Sequence, residues 1–121
     1  MIDASALLAL LQDEPGAEHV RLADAVMSSV NFSEVLHKSL EKGASTQGLH
    51  VELAVLGLDV VPFDAQHAES MAQLRASTRH LGLSLADRAC LALAMERSGT
   101  AVTADRAWSK LLDGVRVRVI R

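Results

Sequence analysis

The sequence predicts an α/β fold, a parallel sheet covered by helices on both faces. Three observations point there. Short apolar runs of strand length alternate along the chain with longer stretches of helical period. One helical stretch, Leu85–Arg97, is apolar nearly all round and should be buried. Half of the 121 residues are hydrophobic but only 2% are aromatic, so a chain long enough for a real core builds it from Leu, Val and Ala.

Element by element, Met1–Asp3 is a very short strand start. Ser5–Leu11 reads as a helix, stopped near Glu14-Pro15-Gly16, and Ala17–Ala25 as a second helical stretch. Val26–Val30 has the length of a short strand. In the next helix Phe32, Val35, Leu36, Ser39 and Leu40 share one face, and Gly43 ends it. Thr46–Gly57 is helical, with Val51, Leu53, Ala54 and Leu56 apolar, and Leu58–Pro62 is a strand closed by its proline. Ala65–Leu81 is a helix with Met71, Leu74 and Leu81 facing inward. After Leu85–Arg97 come a strand at Ala101–Thr103, a short helix at Arg106–Leu112 and a last strand at Val115–Ile120. Right-handed crossovers follow from the alternation. No repeat, low-complexity tract or linker interrupts it, and Gly82 and Gly99 punctuate elements rather than separate domains, so residues 1–121 read as a single domain.

Composition narrows the function. The formal net charge is −3, from 12 Lys and Arg against 15 Asp and Glu, which weighs against a nucleic-acid binder held by a broad basic face. It leaves a nuclease open, because a bound divalent ion cancels part of an acidic cluster. Phe32, Phe63 and Trp108 are the only aromatic residues, few for a protein that stacks bases on rings. Cys90 is the single cysteine and lies in an apolar helix, where a small buried core residue is expected. One cysteine allows no disulfide within the chain, which fits a reducing cytoplasm. No positive n-region precedes the short apolar run Ala6–Leu11, so no signal peptide is expected, and no run reaches the roughly 20 apolar residues of a spanning helix.

Four carboxylates stand where apolar elements begin or end: Asp3, Glu34, Asp87 and Asp105. In open parallel sheets the ligand crevice lies beyond the carboxyl ends of the strands. Asp3 ends the first strand, and Asp105 follows Ala101–Thr103 by two residues, so both should open onto that crevice. A helix follows each, so each also fits a helix N-cap. Glu34 near the start of its helix can equally pair with Lys38 one turn on. Asp87 shares a helical face with Cys90, Leu91 and Ala94, an apolar setting that is costly for a carboxylate unless a metal ion or a hydrogen-bonded network compensates it. Acids gathered at one end of a sheet make a hard-cation site suited to Mg²⁺, with Mn²⁺ as an alternative, and to phosphodiester hydrolysis. Ser5 and Thr103 bring hydroxyls near Asp3 and Asp105 for water or phosphate, or for caps and turns; Asn31 can orient Glu34 or serve as a cap.

Other polar residues carry less. His19, His37, His50, His67 and His80 show no paired metal spacing and read as structural. Asp64 opens a helix after Pro62-Phe63 and reads as its N-cap. Arg116, Arg118 and Arg121 alternate along the last strand, as on a solvated edge or a face for phosphates or an acidic partner. No phosphate-binding glycine loop is present.

These stretches resemble PIN-domain proteins, specifically the VapC-type toxins of bacterial toxin–antitoxin pairs. The resemblance is carried by Asp3-Ala4-Ser5-Ala6-Leu7-Leu8, Val30-Asn31-Phe32-Ser33-Glu34-Val35, Leu83-Ser84-Leu85-Ala86-Asp87-Arg88-Ala89-Cys90-Leu91-Ala92 and Thr103-Ala104-Asp105-Arg106-Ala107-Trp108, with Val60-Val61-Pro62-Phe63-Asp64 between. It spans essentially the whole chain. It implies a three-layer fold with a five-stranded parallel sheet between helices, and a Mg²⁺- or Mn²⁺-dependent endoribonuclease. Asp3, Glu34, Asp87 and Asp105 would be its catalytic and metal-binding quartet, Asp3 and Asp87 the direct ligands, and Ser5, Asn31 and Thr103 the supporting residues. The resemblance further implies an RNA substrate (tRNA, rRNA or mRNA), a cognate antitoxin, a homodimer in the cytoplasm and no membrane. Members of the family usually carry two or three more apolar residues before the first Asp. Here only Met1 and Ile2 precede Asp3, so the central strand should be short and poorly laddered. Ala86 stands where glycine is frequent, a change a helix tolerates.

Two rivals stay open. One is a catalytically inactive module of the same fold that binds a protein partner. The other is a phosphoaspartyl enzyme or receiver, against which stand Ser5 in the place of a second Asp and Lys110 within a helical stretch rather than at a strand end.

Overall fold

The computed structural model describes residues 1–111 and 114–121. Two parallel strand pairs form the sheet. β1 (Val26–Ser28) pairs with β2 (Asp59–Val61), Met27 opposite Val60, and β3 (Thr100–Thr103) pairs with β4 (Arg116–Val119), Ala101 opposite Val117. Met1–Asp3 lies between the pairs. Ile2 N–H donates to Val26 O at 2.9 Å on one side; on the other, Val102 N–H donates to Met1 O at 2.7 Å and Asp3 N–H to Val102 O at 3.0 Å. The order is therefore β2, β1, Met1–Asp3, β3, β4. The expected fifth strand reduces to a parallel bridge of Ile2 to Val102, and α1 begins at Ala4.

Among the described residues five α-helices cover the sheet: α1 (Ala4–Leu11), α2 (Ser29–Glu41), α3 (Leu49–Val55), α4 (Ala65–Thr78) and α5 (Leu85–Glu96). Side chains alternate faces along a strand, and the core divides accordingly. Ala101 enters the cluster with Leu74, Cys90, Leu91 and Trp108, whereas its neighbour Val102 packs against the cluster of Ile2, Leu7, Met27, Val35 and Leu53. Each large side chain buried in this way contributes about 1.5–3 kcal/mol. As the pattern of Leu85–Arg97 implies, Ala89–Ala94 are all buried, although Leu85 itself is exposed. Cys90 is buried and burial pushes its thiol pKa up, as befits an inert core residue. Among the described residues no helix is long and apolar enough to cross a membrane.

Several boundaries differ from the sequence reading. Ala17–Ala25 is not a helix. A 3-10 turn at Ala17–His19 gives way to extended chain, with Val20 drawn into the core and Asp24 at φ 59°. β1 stops at Ser28 rather than Val30, since the Ser28 hydroxyl accepts from Val30 N–H and caps α2. α3 begins only at Leu49, after Gly48 at φ 73°, and of its apolar residues only Leu53 is buried while Val51, Val55 and Leu56 are exposed. α4 ends at Thr78, with a 3-10 turn over Arg79–Leu81. The expected helix after Asp105 is a 3-10 helix, Arg106–Lys110; Leu112 lies outside the described residues. Arg116 and Arg118 share the exposed side of β4, but Arg121 lies beyond the strand, 3.6 Å from Glu14.

Gly16 makes the turn after α1 at φ 94°, where a Cβ would stand 2.6 Å from Ile120 O. Gly43 has φ 78° but open space around it. Gly16→Ala should therefore destabilise by about 2–4 kcal/mol, combining strain and clash, and Gly43→Ala by only about 1 kcal/mol. Urea unfolding of the two variants checks this ordering.

Candidate functional site

A helix that returns between parallel strands starts at the strands' carboxyl end, so the first turns of α2 and α5 and the exits of Met1–Asp3 and β3 meet there. Asp3, Glu34, Asp87 and Asp105 all belong to those segments.

Asp3 is the anchor. Its side chain is 3% exposed. Oδ1 accepts from Ala6 N–H at 2.8 Å, which makes Asp3 the N-cap of α1. Ser5 Oγ lies 2.8 and 2.9 Å from the two carboxylate oxygens, and Thr103 Oγ1 donates to Oδ2 at 2.5 Å. Ser5 Oγ also accepts from Ala104 N–H at 2.9 Å, and Thr103 Oγ1 from Asp105 N–H at 3.0 Å. One hydrogen-bonded cluster thus ties the start of α1 to the end of β3. Burial still pushes the Asp3 pKa up to about 6, against the bonds from Thr103, Ala6 and Ser5, and the charge of Asp87 adds to the rise.

The remaining three acids are each held locally. Asp87 accepts from Ser84 N–H at 3.0 Å while its own N–H donates to Ser84 Oγ at 3.1 Å, a capping box at the start of α5. Its carboxylate therefore turns back toward the helix start, where the Ser84 bonds offset part of the cost of its burial. Its pKa is raised by burial, against the Ser84 bonds, and by the charges of Glu34 and Asp105. Glu34 pairs with Lys38 at 3.3 Å. Asp105 caps the 3-10 helix through Ala107 N–H at 2.9 Å.

The quartet is therefore an electrostatic neighbourhood rather than a closed cage. Asp87 senses Asp3, Glu34 and Asp105, yet among the described residues no three Asp, Glu, His or Cys side chains stand ready to hold one ion. The donor chemistry fits a hard divalent cation: every group is an oxygen donor, and no cation offsets the charge of Asp3 or Asp87. Magnesium commonly takes only one or two carboxylates, with waters and phosphate completing its shell, so a cage of three is not required.

Asn31 does not touch Glu34. It is fully buried, its Nδ2 donates to Ala86 O at 2.9 Å, joining α2 to the start of α5, and its Oδ1 has no hydrogen-bond partner. Ser84 was missed by the sequence reading, although Ser84-Leu85-Ala86-Asp87 has the spacing of a capping box. His67 is buried against Glu96 at 2.7 Å, and Asp64 caps α4 as expected, so both serve structure.

A family model described as PIN domain matches residues 1–112. No curated protein matches. Among solved structures, the fold is similar to a DNA-bound VapBC from Salmonella typhimurium (TM-score 0.73, 21% identity, 100% of this chain and 97% of that one). It is also similar to a toxin–antitoxin complex from Klebsiella pneumoniae (0.72, 18%, 99% and 96%) and to VapBC-1 from nontypeable Haemophilus influenzae (0.72, 15%, 98% and 96%).

The buried Asp3 has a consequence for the metal-free protein. Its folded-state pKa, about 6, lies above the ordinary 3.8, so between those values the folded protein keeps a proton that the unfolded chain releases. This contribution is full below pH 3.8 and is lost as pH rises through about 6. Asp3→Asn removes it. The stability of the variant relative to wild type should rise by on the order of 2–3 kcal/mol between pH 4 and pH 7 in chelator. Urea unfolding at several pH values reads this directly.

Proposed function

Since the chain belongs to the PIN-domain family, we propose that it is a metal-dependent endoribonuclease, the VapC-type toxin of a toxin–antitoxin pair. The observation that carries this reading is Asp3: a buried carboxylate at the exit of the central strand, its pKa raised to about 6, beside Asp87 and with no cation to offset it. Such a group is costly to the fold as an ion, and carboxylates perturbed in this way cluster at functional sites. Asp3 and Asp87 would hold Mg²⁺ or Mn²⁺, with Glu34 and Asp105 completing the acidic surround. When bound, the ion supplies an activated water at neutral pH and offsets charge on the phosphate and the leaving oxygen.

The chain's own residues do the positioning. Ser5 and Thr103 donate to Asp3, which favours its ionised form and fixes both oxygens. Ser84 holds the Asp87 carboxylate at the start of α5. Asn31, through Ala86, sets the approach of α2, and so of Glu34, to Asp87. The VapBC neighbours are complexes of toxin with antitoxin, which supports a cognate antitoxin as partner here. RNA (tRNA, rRNA or mRNA) is the substrate under this reading, with the protein acting in the cytoplasm as a homodimer.

A second reading has one observation in its favour. Because the acids are not drawn together as they stand, the chain would be a non-catalytic PIN-fold module that binds a protein partner.

Cleavage separates the two. With Mg²⁺ present the wild type should cut RNA and stop in EDTA. Asp3→Asn and Asp87→Asn should lose more than the roughly 10- to 100-fold that removal of an outer partner costs, and Thr103→Val should fall within that range. Circular dichroism should show each variant folded. Full activity in either Asn variant, or cutting in EDTA, would remove the metal-nuclease reading; no cutting by a folded wild type would favour the module.

A further inference from the structure

Resting on the nuclease reading and deepening it, we propose that the groove beside Ser5 holds the RNA backbone next to the carboxylates, its phosphates bound by Lys38, Lys42 and Arg121. The groove has a volume of about 300 Å³ and lies between α1 and α2. Leu8 forms part of its wall, and Ser5, whose hydroxyl touches both oxygens of Asp3, stands within it. The groove therefore opens directly beside the acid cluster.

Its charges are suited to a polyanion. Lys42 Nζ has only the neutral Gln12 Oε1 as partner, at 2.8 Å, among the described residues. Arg121 lies 3.6 Å from Glu14, too far for a tight bond. Lys38 pairs with Glu34, so it stands between the groove and the quartet. Of the two acids in the groove wall, Glu41 is turned to His37 at 2.8 Å, and Glu14 meets only Arg121. Three cations thus stand against two carboxylates in the groove wall, a local excess of positive charge in a chain whose net charge is −3.

Such a cluster answers a physical need. Four neighbouring carboxylates repel the phosphates of any RNA that approaches, and cations at their border offset that repulsion. Stacking cannot supply the binding instead. No ring lines the groove, and Trp108 is fully buried. The recognition expected is of backbone charge and not of base identity. A protein segment with acidic side chains is the other polyanion that would meet these residues; it lacks the regular charge density that gives nucleic acid its steep salt dependence.

The test is binding of a fluorescently labelled single-stranded oligoribonucleotide in EDTA, followed by anisotropy across a salt series. The Lys38→Gln/Lys42→Gln/Arg121→Gln variant should bind at least about tenfold more weakly at low salt. Its slope of log affinity against log salt should be shallower by about 2, roughly 0.7 for each cation removed. Arg75→Gln, an exposed charge on α4 away from the groove, should behave as wild type in both measures. An unchanged slope in the triple variant, an equal loss in Arg75→Gln, or no RNA binding by wild type at low salt would each overturn the proposal. So would unchanged RNA binding joined to lost binding of the antitoxin, which would assign the groove to a protein partner. Slope-dependent binding without cutting in Mg²⁺ would support the groove while ending the nuclease reading, and cutting with an unchanged slope would do the reverse.

Discussion

The hydrogen-bonded cluster of Asp3, Ser5 and Thr103 is the constraint on which the rest of this fold depends. The central strand is too short for a ladder. It has one backbone bond to β1 and a few to β3, so backbone pairing alone holds the two halves of the sheet weakly. The side-chain cluster adds what the backbone lacks. Thr103 and Ser5 bind the Asp3 carboxylate while accepting the amides of Asp105 and Ala104. The exit of one strand is thereby fastened to the exit of its neighbour. The cluster also carries an electrostatic cost, a carboxylate taken out of water with no cation beside it among the described residues.

That cost links architecture to chemistry. Capping and catalysis are usually weighed as competing explanations for an acid at a helix start, yet under the proposed nuclease reading one geometry would serve both. Asp3, Asp87 and Asp105 are all engaged at helix beginnings, where the partial positive charge of the helix end favours a carboxylate. The caps hold each acid at the carboxyl end of the sheet before any cation arrives. Each of the four has a local partner, and like charges do not converge unaided. Beside this acidic region the wall of the α1–α2 groove carries Lys38, Lys42 and Arg121, which under the proposal would hold the backbone of a polyanion next to the site of the divalent ion.

Much of this was legible in the sequence, for reasons that differ by residue. The alternation of period and the all-round apolar stretch before Glu96 are long-range signals and point to a parallel sheet with α5 buried. Pairing of Glu34 with Lys38 and the Asp64 cap follow from local spacing. Other features were hidden because tertiary packing decides them. Val20 leaves a helical pattern because the core takes its side chain, and Val51 and Leu56, apolar in their helical stretch, are exposed. The cost of burying Asp87 was legible from its apolar neighbours, whereas the hydrogen bonds that offset it come from Ser84, three residues ahead in a capping box. Asn31 was tied to Glu34 by proximity in sequence, whereas its partner, Ala86, is on another helix.

The claim at the centre is that Asp3 and its acidic neighbours form a site completed by a divalent cation. Calorimetric titration of Mn²⁺ into the metal-free protein at neutral pH, repeated with Asp3→Asn, tests it most directly. Saturable binding by the wild type that disappears in the variant is the expected result. No heat from a folded wild type, or the same heat from both proteins, would contradict it.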